Sequence, residues 1–159
     1  MIWQVVIFAA ITGDALGQRR IAPPAPEPQG AMSKSLDLSG AYSNIRSARQ
    51  EVVRDAKRLA AFWREHAGDS TGMPIPVVDF AKSDVVAVFA GAKPTGGYRV
   101  SIDRVKRVGK AAVIEATIHK PGPGAITTQA FTFAFAMKSV PKLPAQVRFK
   151  VTEVIDSPR

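Results

Sequence analysis

A chain of 159 residues, 46% of them hydrophobic, is long enough to bury one real core and too short for two. Its 22 Lys and Arg against 13 Asp and Glu give a net charge of +9, which favours anionic partners or surfaces without naming one. Cysteine is absent and the only histidines are His66 and His119, so disulfides, thiolate metal centres and a cysteine nucleophile are excluded, a His-rich metal site is disfavoured, and no cofactor is expected.

Met1 to Ile11 is apolar but shorter than the roughly 20 residues a bilayer-spanning helix needs. Ala15 and Gly17 supply small residues in the pattern a signal peptidase reads, so residues 1–17 read as a signal peptide and the protein as periplasmic or secreted. The competing reading is a buried N-terminal strand, because no Lys or Arg precedes the apolar run and Gln4 and Asp14 interrupt it. Residues 18–41 contain Arg19, Arg20, Pro23, Pro24, Pro26, Pro28 and Gly30, a composition that cannot pack a core and reads as a disordered, Pro-rich tether. The domain is expected over 42–154, with 155–159 as a tail.

Within that domain, Ala48 to Arg54 reads as a short strand. Asp55 is a good N-cap for a helix over Ala56 to Ala67, in which Leu59, Phe62, Trp63 and His66 recur at helical spacing and form one buried stripe. Gly68 is the stop signal. After a turn-rich passage from Asp69 to Val78, Asp84 to Ala90 is apolar at nearly every step, as in a strand covered on both faces. Tyr98, Val100 and Ile102 alternate with polar residues, and Val105 breaks the alternation, which predicts a bulge near Asp103. Arg107 to Lys110 predicts a hairpin into a strand over Ala111 to His119. Phe131, Phe133, Phe135 and Met137 predict a further strand, and Val147, Phe149 and Val151 a last one. The fold expected is α+β, an antiparallel, sandwich-like meander packed by one amphipathic helix.

If short connections make successive strands antiparallel, the loops Gly91 to Gly97 and Lys120 to Ala125 lie at the same end of the sheet. Function commonly sits on loops carried by a rigid scaffold, so these two form the candidate binding edge: Lys93, Pro94, Thr95, Gly96, Gly97 and Tyr98 from the first, Pro121, Gly122, Pro123 and Gly124 from the second. Pro94 and Gly96 fit a type I turn, with Gly97 allowing a positive φ or a close approach.

These loops, together with Arg49-Gln50, Phe62-Trp63 with His66, Val78-Asp79-Phe80 and Thr128 to Thr132, resemble the C-terminal domain family of PrcB proteins from Tyr42 to about Val151. Ala134-Phe135-Ala136 departs from it, since the family typically shows Pro followed by Tyr there. The family takes its name from a subunit that associates with a secreted bacterial protease complex. The resemblance therefore implies binding to an extracytoplasmic protein, with a protease among the candidates, and brings no catalytic residues. Lys93 to Tyr98 is also similar to a loop of chagasin-type cysteine-protease inhibitors, although their Arg-Pro-aromatic loop is missing; inhibition is the alternative this raises.

Other chemistry is poorly supported by the residues. Lys93 is split from Thr95 by Pro94 in a strand-to-strand connection, so no phosphate loop forms. Glu115 and His119 lie two pleats apart, about 13 Å along a strand, beyond a hydrogen bond. Ser101 and Asp103 share a face, yet no spacing specifies a Ser-His-Asp contact. Nucleic acid is not the expected partner, because Arg99, Arg104, Lys106, Arg107, Lys110, Lys120, Lys138, Arg148 and Lys150 lack interleaved aromatic platforms. Weak adhesion to envelope polyanions is the charge-only alternative. The expectation is a monomeric, non-enzymatic accessory domain.

Overall fold

Helix α1 (Ala56–Ala67) forms where its stripe and caps predict it. The Asp55 carboxylate accepts from the Arg58 N–H at 2.7 Å, and Gly68, at φ 61°, donates its N–H to the Arg64 carbonyl. Leu59, Phe62, Trp63 and His66 are all buried, so the apolar stripe is the docking face. The computed structural model describes residues 35–68 and 72–156. The expected signal peptide, the tether up to residue 34 and the first residues of the turn-rich passage, 69–71, lie outside the described residues.

Among the described residues seven strands accompany the helix: β1 (Asp37–Gly40), β2 (Ala48–Val53), β3 (Ser83–Ala90), β4 (Arg99–Val108), β5 (Ala111–Lys120), β6 (Phe135–Pro141) and β7 (Gln146–Ile155). They make two sheets, a four-stranded one in the order β1-β6-β3-β2 and a three-stranded one in the order β4-β5-β7. The architecture is α+β and largely antiparallel, as its alternation patterns predict.

Strand β3 explains the layering. Val85, Ala87 and Phe89 point into the cluster under α1, with Phe62, Trp63, Phe135 and Met137. Val86, Val88 and Ala90 point the other way, against Val100, Ala112, Ile114 and Ala116 of the second sheet. A strand buried on both faces has no polar side to alternate, which is why its sequence is continuously apolar. Three layers result: helix, four-stranded sheet, three-stranded sheet. Phe62 meets Phe89 edge-on with ring centroids 5.6 Å apart, and burial of each such ring contributes about 1.5 to 3 kcal/mol.

The structure corrects four expectations. The tether does not extend to residue 41, because Asp37–Gly40 pairs with β6 from Asp37↔Lys138 to Gly40↔Phe135. The expected strand at Phe131 starts later, at Phe135; Phe131 is exposed, while Thr132 is the buried residue, bridged to Lys93. The chain does not meander through one sheet but crosses between sheets after β3, β5 and β6. The last crossing, over 142–145, leaves β6 at the end where β5 begins, so β7 runs parallel to β5, from Ala111↔Gln146 to Lys120↔Ile155. The bulge is where the broken alternation puts it, between Ile102 and Arg104.

Candidate docking rim

The chain crosses between the sheets twice at one end, and the two crossings are bonded to each other. Lys93 and Thr132 exchange backbone hydrogen bonds at 2.9 and 3.0 Å, the Gly96 N–H donates to the Thr128 carbonyl at 2.9 Å, and the Thr132 hydroxyl donates to the Thr95 carbonyl at 2.8 Å. The expected turn at Lys93 to Gly96 therefore does not close on itself; its Gly96 N–H serves the neighbouring loop instead. Gly97, at φ 83°, brings the backbone against Pro121 and Thr127, where an added Cβ would lie 3.1 Å from each. Only glycine takes both that φ and that approach without strain. The shared rim predicted from strand direction is thus present as geometry.

Not all of the predicted contact residues face outward. Pro94, Gly97, Pro123 and Gly124 are exposed, Lys93, Thr95, Pro121 and Gly122 are half-buried, and Gly96 and Tyr98 are buried. Tyr98 packs with Val88 and Val100, and the Lys93 ammonium sits 5.3 Å from its ring centroid and 3.4 Å from Glu153. Gly96 and Tyr98 shape the rim rather than present a surface. The residues that sequence reasoning missed are Ile126 and Phe131, which are fully and two-thirds exposed on the segment bonded to the Lys93 loop. Phe131 was hidden by its place in an alternating Phe series that looks like a buried strand.

Beside the rim, a cleft of about 410 Å³ opens between Ser39 to Ala41 and Tyr98 to Ser101, with His119 in its wall. Here the fold assembles a contact that spacing does not specify. Ser101 Oγ lies 3.3 Å from His119 Nε2, and His119 Nδ1 lies 3.0 Å from Asp156, in the segment read as a tail. The Ser101 hydroxyl, however, is 2.6 Å from Asp103, which also accepts from Thr117 at 2.6 Å. The shorter contact takes the hydroxyl hydrogen, so the serine is not aimed at the imidazole as nucleophilic catalysis requires. Hydrogen bonds from Arg99, then from His119, hold the Asp156 carboxyl below the usual carboxylate range. The group is a polar ladder that fastens β7 across β5 to β4. Glu115 is not part of it; it pairs with Lys106 at 2.9 Å. Among the described residues no three metal-ligating side chains converge.

Fold and rim together define a class, a layered β domain with one docked helix and a preorganised loop edge. The chain is similar, over residues 85–133, to the family described as PrcB C-terminal. That match runs from within β3 through both rim loops, and it shows the family resemblance drawn from their motifs. No curated protein and no solved structure matches the chain.

Proposed function

We propose that this domain is a non-enzymatic accessory module of an exported, monomeric protein, docking on an extracytoplasmic partner through the rim. The observation that carries the reading is the outward display of Ile126 and Phe131 on loops tied down by backbone hydrogen bonds. Burying an exposed large apolar side chain contributes about 1.5 to 3 kcal/mol, and aromatic anchors dominate protein interfaces. Because the loops are already bonded to each other, docking costs little ordering entropy. The family likeness makes a protease complex the first partner to test.

A photocrosslinker placed at Phe131 in cells of the source should trap a defined protein, and one placed at Val108, on the far hairpin, should not. Ile126→Ser combined with Phe131→Ser should abolish the crosslink from a probe at Pro123 while leaving the thermal midpoint unchanged. Equal trapping from both ends of the domain removes the rim as the site. Stoichiometric loss of peptidase activity on adding the domain replaces the accessory role with inhibition.

A further inference from the structure

The outer face of the three-stranded sheet carries an unbalanced charge. Pairing places Arg104 and Lys150 on either side of Glu115, and Lys106 and Arg148 on either side of Val113. All four cations are exposed, against two carboxylates on the same face, Glu115 and, at the bulge, Asp103, which accepts from Thr117. The bond from Lys106 to Glu115, with Arg104 and Lys150 adding attraction, holds the Glu115 carboxyl below the usual range, so it stays ionised and one cation is neutralised. The rest face solvent.

Strand β7 is also the end of its sheet. One backbone flank pairs with β5 along its whole length, and among the described residues no strand pairs with the other. Exposed edges are blunted by proline, a bulge, brevity or charged side chains, and the device on β7 is charge, Arg148, Lys150 and Glu153, whose two cations repel a basic strand but not an acidic one. Here Gln146–Ile155 spans 10 residues, contains no proline and keeps an unbroken register. On the inner side Val147, Phe149 and Val151 pack on the core but stay half-buried. One more strand would complete their burial.

We infer that the free edge of β7 takes an extended acidic segment of a partner polypeptide as an added strand, at a site distinct from the apolar anchors Ile126 and Phe131. Backbone hydrogen bonds give such docking its affinity and side-chain pockets its specificity. Arg148 and Lys150 stand beside the added strand, where its carboxylates pair with them. A second copy of this chain fits worse, since it brings the same cations against themselves. Residues 1–34 also fit worse, with Arg19, Arg20 and Lys34 against Asp14 and Glu27. Nucleic acid lacks an aromatic platform on this face, whose outward rows hold Val113, Thr117 and Thr152.

The test uses the full chain and a short peptide of alternating Glu and Val. Saturating peptide should slow amide exchange along β7, roughly tenfold or more at alternate positions, and leave Gly109 unaffected. Arg148→Glu with Lys150→Glu, both exposed, should weaken binding roughly tenfold or more with the fold intact by circular dichroism. A peptide of the same charge with alternate amides N-methylated should not bind the unaltered protein, nor should a Lys-Val peptide. The Ile126→Ser, Phe131→Ser variant should bind as the unaltered chain does. Equal binding of the N-methylated peptide overturns the inference in favour of charge-only adhesion. Protection centred outside β7, or dimerisation through β7 without peptide, overturns it as well.

Discussion

Asp84 is fully buried, and its charge is matched atom by atom. Lys142 Nζ lies at 2.6 Å, the Leu143 N–H donates at 2.8 Å, and Arg54, at 3.3 Å, also donates to the Leu143 and Pro144 carbonyls. Removing the carboxylate strands these donors at the crossing into β7. Asp84→Ala is expected to cost about 2 to 4 kcal/mol, read as a lower urea midpoint. Sequence places Asp84 at the head of an apolar strand but says nothing of Lys142, 58 residues away.

His66 makes the opposite electrostatic case. It is buried among Trp63, Phe89 and Phe135, with Nδ1 2.9 Å from the Ser43 hydroxyl, and burial lowers its pKa. The unfolded chain then binds more protons than the folded one below about pH 6.5, so stability is full above that value and falls as the pH drops toward the lowered folded pKa. Urea unfolding from pH 7.5 down to 5 should show this decline, and His66→Gln should flatten it. Helical spacing marked His66 as core; packing adds the surrounding aromatic rings, whose desolvation lowers its pKa.

At the scale of elements, α1 was legible end to end because its signals are local: a capping carboxylate, a stripe and a glycine stop. Asp55→Ala should lower stability by about 1 kcal/mol, since it frees the Arg58 N–H without touching the buried face. One element misread was β6. Alternation of Phe131, Phe133 and Phe135 has the period of a strand, but the chain is still crossing between sheets there, and its bond to Lys93 turns Thr132 inward. A period-2 pattern reports alternation, not which side faces the core.

For the molecule as a whole, the decisive feature is the second sheet and the way its last strand closes it. Ending the chain after Val154 removes the Asp156 N–H bond to the Lys120 carbonyl, at 2.8 Å, and the carboxylate's ties to Arg99 and His119. The thermal midpoint should fall by several degrees. An unchanged midpoint would show that the polar ladder adds nothing to the fold. Acid should loosen the same tie, because Asp156, with its lowered pKa, contributes stability above about pH 3.8 that is lost as pH falls through the lower folded value.

Sequence by itself determined the helix and its caps, the doubly covered strand β3, the bulge beside Asp103 and the common end of the two glycine-proline loops, because each follows from short-range pattern or from strand direction. Tertiary structure alone decided that the strands divide into two sheets, that β7 runs parallel, that Tyr98 turns inward while Ile126 and Phe131 turn out, and that Ser101, His119 and Asp156 meet. Those outcomes depend on where the chain crosses from one layer to the next, a choice made by burial of the whole core and written in no local run of residues.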